Sequence, residues 1–573
     1  MRTGVSMVEI KVTTSKGLHS ILASEKNTVL QALQAAKIPI QAPCNGRGTC
    51  GKCKIRVQGE ESERLACQTY PTQHMVVEVK SKGEQMQVVS EFLGVESVME
   101  QPVADATVAN NKEKVEEKPL YMIAVDLGTT TVVIQLLVFD SNTTENSKGK
   151  VLQTVRNLNP QNIYGADVIS RITASNQGAA KALSGLICNF LCDGIEQMCE
   201  NNDIKLEQIS DIVIGGNTTM MHLLREYNVS GLGKYPFQPV SLSLEEFPYV
   251  QLKGSAVLDK ESEDVNGLEP QIHEPNACGE SAEHGPRVTL FPGISAFVGG
   301  DIVAGLYALN IHKEEKINLL VDLGTNGELA IGNRDRILVT STAAGPAFEG
   351  GNISCGTGSI AGAIKEVTIK KRYVAYQTID NKPAVGICGT GAIDLLAELR
   401  SKGYINEHGS FQDEYRERGF LVEGRGFQSD KEIRFTQEDI RQMQLAKGAI
   451  RAGIEVLMET YGVGYDQIGH LYLAGGMGFS LNIEKACEIG LLPPPLKDKV
   501  VIVGNSCLGG VIKYLQTVAR EKSGGRIDNI AEEKPEGGTA KLEIMDMISR
   551  TTSIQLAEGD LFAGNYLNYM DFS

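Results

Sequence analysis

The chain has 573 residues, 71 of them acidic against 55 Lys and Arg, and a formal charge of -16. That length supplies several domains with ample core, and the acidic balance excludes a surface built to bind nucleic acid, whose phosphates need a basic face. No apolar run approaches the roughly 20 residues that cross a bilayer, and the first residues lack the apolar centre of a signal peptide, so a cytoplasmic protein with no membrane partner is expected.

Four of the twelve cysteines crowd into the first 67 residues, and in a reducing compartment such crowding favours metal over disulfides. Residues 8–13 and 18–23 read as short strands, and residues 27–37 carry helical periodicity behind a capping Asn27. Then Cys44, Cys50, Cys53 and Cys67 follow in the spacing C-x5-C-x2-C-x13-C. Three thiolates on a glycine-rich loop, closed by a fourth after a hairpin, can surround a small iron–sulfur cluster, with the amides of Gly46, Gly48 and Gly51 aimed at its sulfurs. Structural zinc also takes four thiolates, but more often as two C-x2-C knuckles, and one such pair is present. With its β-β-α lead-in, the loop resembles the 2Fe-2S ferredoxin β-grasp domain, one residue longer than the plant-type C-x4-C-x2-C pattern. The resemblance implies a cluster held by these four cysteines in a domain of residues 1–84. Residues 85–118 break in composition: 86–94 carry a short helical pattern, and 101–118 are polar with no core to bury, as expected of a flexible linker.

Residues 121–138 place two apolar runs around Asp126, Gly128 and three threonines. This reads as a β-hairpin that grips phosphate: Asp126 to hold a metal ion or order a water, Gly128 to turn tightly, and Thr129 and Thr130 to surround anionic oxygens with amides and hydroxyls. Asp-Leu-Gly is also an ordinary turn. A polar patch from Asn157 to Arg171 leads into a helix. Residues 180–200 form another, whose Cys188, Cys192 and Cys199 are read as small buried hydrophobes in preference to a second cluster. Residues 211–220 run a strand into a polar glycine turn expected at the cleft. Residues 255–288 are read as an exposed acidic insertion rather than a metal site, despite His273, Cys278 and His284. Residues 293–306 read as a tightly packed helix entered through glycines.

The hairpin then recurs, with Asp322, Gly324, Thr325 and Asn326 between two more apolar strands. Residues 341–359 form a long loop of small residues whose ordering entropy calls for a compensating contact with a nucleotide, a partner or a packed helix. A helix is expected from the segment 386–399 and a single long one over 436–460. Residues 471–479 run an apolar strand into Gly475, Gly476 and Gly478, suited to close approach to a base and sugar. Residues 501–511 form a second connecting element, and a polar stretch near 521–540 precedes a C-terminal strand and helix.

Two Asp-Gly-Thr hairpins followed by strand-Gly-Gly-x-Gly resemble the two phosphate motifs and the adenosine motif of the acetate and sugar kinase, Hsp70 and actin superfamily, over residues 119–573. That resemblance implies an α/β fold with a two-lobed ATPase body, lobes of 119–312 and 313–573, bound ATP and Mg2+, and Asp126 and Asp322 as the catalytic carboxylates. With a ferredoxin domain in front, the whole chain resembles the reductive activators of corrinoid proteins. It implies ATP-dependent, one-electron reduction of an inactive cobalt(II) corrinoid protein to the cobalt(I) state used in methyl transfer, an upstream low-potential electron donor, and room for a homodimer. The linker is expected to enter the first hairpin directly, without the extra middle domain some members carry. Ser354, on the small-residue loop, is the residue expected nearest the cobalt. Three other readings compete. A small-molecule kinase needs an acceptor pocket with a general base, for which the sequence offers no obvious candidate. A 2-hydroxyacyl-CoA dehydratase activator shares the ATPase body but bridges a 4Fe-4S cluster between subunits. A redox-sensing scaffold would bind nucleotide without turnover.

Overall fold

In the N-terminal domain the strands β1 (Met7–Thr14) and β2 (Gly17–Ser24) pair antiparallel, and α1 (Val29–Ala35) lies against them. Alternate residues of β1 are buried, with Ile10 and Val12 fully so, because one face of this small sheet meets the core. The hairpin β3 (Lys54–Val57) and β4 (Glu63–Leu65), then β5 (Val76–Glu78), complete a sheet of order β2-β1-β5-β3-β4, the β-grasp arrangement. The cap of α1 is Thr28, not Asn27: its hydroxyl accepts from the Gln31 amide at 3.3 Å while Gln31 Oε1 accepts from the Thr28 amide at 2.8 Å. That reciprocal box outcompetes a lone Asn one residue earlier. This computed structural model describes residues 7–14, 17–36, 38, 40, 46, 48, 53–60, 62–79, 91–92, 119–139, 149–257, 285–371, 373–424, 432–476, 481–523, 538–556 and 560–572. Cys44, Cys50, Gly478 and the insertion residues His273, Cys278 and His284 lie outside them.

The first lobe is built on β6 (Leu120–Leu127), β7 (Thr131–Phe139) and β8 (Lys150–Leu158), followed by α2 (Val168–Ala174), α3 (Ala180–Asn201), β9 (Ile209–Gly216), α4 (Thr218–Leu224), β10 (Glu245–Pro248), α5 (Tyr249–Val257), β11 (Arg287–Leu290) and α6 (Gly300–Ala308). Its sheet runs β10-β11-β9-β6-β7-β8. Both faces of β6 are covered, which is why its sequence is a continuous apolar run: Ile123 and Val125 join the core with α3, while Met122 and Ala124 join a second core with α6. Cys188, Cys192 and Cys199 are buried in the first of these cores, as read. The helix expected over 293–306 begins only at Gly300. Before it, Ser295 Oγ accepts the amides of Phe297 and Val298 at 3.3 and 3.2 Å, a local turn that competes with helix.

The second lobe repeats the hairpin as β12 (Ile317–Leu323) and β13 (Gly327–Gly332), extended by β14 (Ile337–Thr342). A smaller sheet of β15 (Ala363–Ile369), β16 (Val374–Thr378) and β17 (Gly386–Ile387) precedes α7 (Gly389–Ser401), the short α8 (Asp413–Arg416) and the hairpin β18 (Phe420–Glu423) to β19 (Ile433–Phe435). Then come α9 (Gln437–Tyr461), β20 (Ile468–Ala474), α10 (Ile483–Glu488), β21 (Val500–Gly504), α11 (Ser506–Lys522), α12 (Gly538–Ser549), β22 (Thr551–Ser553) and α13 (Asp560–Met570). The main sheet runs β21-β20-β12-β13-β14-β22.

The helices α6 and α11 pack so closely that a Cβ on Gly510 would strike the Ala304 carbonyl. Together they form the middle layer between the sheets, since one core joins Met122 of β6, Ile302 of α6, Leu508 of α11 and Leu320 of β12. Within residues 85–118 only Glu91 and Phe92 are described, and Phe92 is not helical. It forms an antiparallel bridge with Gly504, and the Asn505 amide donates to the Glu91 carbonyl at 3.0 Å. At the other end of the chain, Lys447 of α9 reaches the carbonyls of Tyr569 and Asp571, each at 2.6 Å, and so fastens α13.

Candidate functional site

Both hairpins deliver an acid and a threonine to one cleft of about 180 Å3 between the lobes. Asp126 is the next-to-last residue of β6 and Asp322 of β12, matching positions of two sheets. Gly128 is needed where it stands: its amide donates to the Thr131 carbonyl at 3.0 Å, and a Cβ would lie 2.8 Å from that oxygen. Across the cleft Thr130 Oγ1 and Thr325 Oγ1 are 3.1 Å apart, and both donate to Glu349 Oε2, at 3.2 and 2.7 Å. Gly324, Asn326, Gly475 and Gly476 also line the space. Gly475, with φ +94°, brings the end of β20 so near that a Cβ would sit 2.8 Å from Asp322 Oδ1.

Residues that sequence reasoning missed hold this geometry. Asn505, the cap of α11, donates through Nδ2 to Asp126 Oδ2 at 2.7 Å, and Ser506 Oγ donates to Asp322 Oδ2 at 3.3 Å, so one helix start touches both acids. The polar pair Asn-Ser closing an apolar strand was the available signal. Asn217 donates to Thr129 Oγ1 at 2.8 Å, and Asn159 to the Gly128 carbonyl at 2.9 Å. Buried Arg171 donates to the Thr129 carbonyl at 2.6 Å from behind the hairpin.

Asp301, near the start of α6, and Glu328 of β13 add two more acids to the cleft wall. Burial first, then the charges of Asp301 and Asp126, pushes the Asp322 carboxyl up to about 7. Burial likewise takes Asp301 to about 7, with Asp126 adding to it. Asp126 and Glu349 are raised by burial, and Glu328 well above the usual range by burial and by Asp301 and Asp322. Acids crowded this way are costly without a cation. Hard carboxylate oxygens beside threonine hydroxyls and hairpin amides suit Mg2+ carried on the phosphates of a nucleotide.

In the N-terminal domain Cys53 immediately precedes β3 and Cys67 follows β4. Because Lys54 pairs with Leu65, both cysteines emerge at one end of the hairpin, and the Ala66 amide donates to the Cys53 carbonyl at 2.7 Å. Both are buried and neither is in a disulfide. Gly46, from the loop carrying the remaining cysteines, has φ +80°, and a Cβ on it would lie 3.8 Å from Cys67 Cβ. Gly46 itself therefore lies against Cys67, a placement that fits a four-thiolate cluster site.

Ser354 is not part of the cleft. It is exposed on the small-residue loop, where its amide and hydroxyl both donate to Asp439, each at 2.6 Å. The loop's glycines serve its own packing: a Cβ on Gly350 would strike the Thr357 carbonyl, and one on Gly356 would lie 2.7 Å from Ile353 Cβ. The Thr357 amide donates to the Ile387 carbonyl at 2.9 Å, a contact that compensates the ordering entropy.

Fold and site define a 2Fe-2S ferredoxin domain joined to a two-lobed, nucleotide-binding α/β body. Residues 14–72 match the 2Fe-2S iron-sulfur cluster binding domain, residues 121–257 the RACo middle region, and residues 316–533 the C-terminal domain of RACo, the ASKHA domain. The chain is homologous to the reductive activators of corrinoid proteins. It is 29% identical over 584 residues to the corrinoid activation enzyme RamQ of Eubacterium limosum, covering 87% of this chain and 92% of the relative. It is 26% identical over 442 residues to the Co(II) methylated amine-specific corrinoid protein reductase of Methanosarcina barkeri, covering 72% of each. The solved structure of a reductive activator for corrinoid, iron-sulfur protein superposes with a TM-score of 0.64 at 26% identity, over 98% of each chain. The middle-region match begins at residue 121, in β6, which corrects the expectation that the chain lacks such a region.

Proposed function

We propose that this chain is an ATP-dependent reductive activator that passes one electron to a corrinoid protein, taking its cobalt from cobalt(II) to cobalt(I). The observation that carries the reading is the pairing, on one chain homologous to such activators, of a cysteine hairpin fit for a 2Fe-2S cluster with a cleft fit for Mg·ATP. The cluster supplies a single electron at about -400 mV for a plant-type centre, and each further 100 mV of reducing power costs about 2.3 kcal/mol, which nucleotide-driven differential binding can offset.

In the body, Asp126 and Asp322 hold the cation and its waters, the Thr129–Thr130 and Thr325–Asn326 tips grip phosphate, and Gly475, Gly476 and Gly478 approach adenosine. Asp301, on the cleft wall at the start of α6, is the candidate for holding the hydrolytic water. Cys44, Cys50, Cys53 and Cys67 hold the cluster. The reading takes 1–84 as the electron-carrying domain, 119–312 and 313–573 as the lobes, a low-potential reductant as donor and the cytoplasm as location. No helix among the described residues is long and apolar enough to cross a membrane. Ser354 is the group assigned to the corrinoid face, five residues beyond Glu349 in the cleft, so that one loop touches both nucleotide and partner.

Reductive titration of a cobalt(II) corrinoid protein with catalytic amounts of this chain tests the reading. Cobalt(I) should accumulate only with ATP and Mg2+ present, and ATP-independent reduction or none at all contradicts it. A Ser354→Phe arm should keep basal ATPase and lose complex formation.

A further inference from the structure

Glu349 stands in the cleft apart from the two carboxylates assigned to the cation. Its Oε2 takes a hydrogen from Thr130 at 3.2 Å and from Thr325 at 2.7 Å, one threonine from each phosphate hairpin. Among the described residues no Lys or Arg pairs with it. A threonine hydroxyl has a single proton to give. Both protons are therefore spent on this carboxylate, and they are the same protons that a phosphate seated between the hairpins has to take.

We infer that Glu349 is a positioning residue that competes with nucleotide phosphate for Thr130 and Thr325 and reports the outcome to the loop that follows it. A phosphate accepts from the hairpin amides as well as from the hydroxyls, whereas the carboxylate has the hydroxyls alone, and two anions at one pair of donors repel. The phosphate therefore displaces the carboxylate. Losing both bonds unties the end of the turn Pro346–Glu349 from Thr130 of the first lobe. The slack is taken up after Glu349 and not before it. Ala347 and Phe348 are fixed in the second-lobe core, whereas Gly350 holds φ +76°, a conformation that glycine enters and leaves at little cost. Gly350 in turn closes the loop, since a Cβ on it would strike the Thr357 carbonyl, and Ser354 and Cys355 lie between these two points. Phosphate in the cradle thus loosens the segment that carries them. The inference rests on the cleft as a nucleotide site and is independent of the corrinoid partner.

Cys355 supplies the readout. It is half-buried, and burial, with the Asp439 charge second, pushes its thiol up to about 12, so it is alkylated slowly while the loop is seated. Iodoacetamide labelling of the full-length, cluster-loaded protein, read by mass spectrometry of the peptide carrying Cys355, is compared with and without Mg2+ and ATPγS, alongside calorimetric affinity. Glu349→Gln keeps the size and loses the charge, and Glu349→Ala loses the acceptor as well. Both variants should bind Mg·ATPγS at least about tenfold more tightly than the wild type. Nucleotide should speed Cys355 labelling at least about fivefold in the wild type, and Glu349→Ala should label fast without it. A static clasp between the lobes predicts the opposite sign, since its loss loosens the cradle. Weaker binding by both variants overturns the inference, and so does wild-type labelling that stays unchanged at nucleotide saturation. A protein that binds no nucleotide overturns the cleft reading and this inference together.

Discussion

Replacing Arg171 by Met removes a guanidinium from directly behind the first phosphate hairpin. Its Nη2 donates to the Thr129 carbonyl at 2.6 Å and its Nε to the Gly165 carbonyl at 3.0 Å, while Nη1 lies 3.4 Å from Gln161 Oε1 and 3.1 Å from the Met220 sulfur. None of these partners carries a charge. Burial draws the group down from 12.5 to about 9, so it remains a cation at neutral pH at a cost of about 5 kcal/mol. The Met variant escapes that cost but strands two carbonyls, at about 1–3 kcal/mol each, so the resting protein's stability should move by no more than about 3 kcal/mol. Nucleotide binding has no such cancellation. A cation about 8 Å behind a phosphate contributes about 2 kcal/mol per unit of phosphate charge at an effective dielectric constant of 20. Calorimetry of Mg·ATPγS at pH 7.5 should show affinity reduced at least about tenfold in Arg171→Met, where tenfold is about 1.4 kcal/mol, and reduced less in Arg171→Lys, which keeps the charge and loses the fork. Binding by the Met variant within twofold of wild type would refute the argument that this charge exists for phosphate.

Asp126→Asn or Asp322→Asn takes one charge from the cation site at nearly constant volume, and ATP-dependent reduction should fall at least about tenfold, or about 1.4 kcal/mol in the barrier; undiminished turnover in both removes these carboxylates from the mechanism. Cys53→Ala or Cys67→Ala should abolish the visible absorbance and the reduced-state paramagnetic signal while nucleotide affinity stays put, and stoichiometric zinc without iron or sulfide in the anaerobic wild type contradicts the cluster. Burial, with the Arg451 charge second, draws Lys447 from 10.5 to about 7. Between those values the unfolded chain binds the proton that the folded chain does not, so stability rises with pH across this window and is level below about 7. Thermal midpoints at about pH 7.5 and 9.5 should therefore diverge in the wild type and converge in Lys447→Met, and parallel profiles would show that Lys447 titrates normally.

The hairpins were legible because each combines a run buried on both faces with an acid and a glycine at fixed offsets, and nothing else in the chain repeats that order. The long helix α9 was legible because Thr436 and Asp439 mark its start with a full capping box. Asn505, Asp301 and Glu349 were not: each reaches the cleft from an element whose own sequence gives no sign of which neighbour it will face. Arg171 looks like any helical Arg until the fold places Thr129 over it. The docking of Phe92 was hidden for a related reason, since a lone aromatic in a polar stretch carries no period, and its receptor is the missing side chain of Gly509, far away in the sequence. The small-residue loop around Ser354 invited a ligand-based explanation, but Gly350, Gly351 and Gly356 are accounted for by contacts within the loop.

Because Thr130 and Thr325 come from different sheets and meet at 3.1 Å, the phosphate cradle proposed above exists only while the lobes are together. Each lobe alone offers half a coordination shell. Affinity for nucleotide is thus also a gauge of lobe separation, and a molecule wedged between the lobes far from the cleft would act as an antagonist without touching a phosphate-binding residue. By reciprocity, bound nucleotide would expel that wedge with the same free energy.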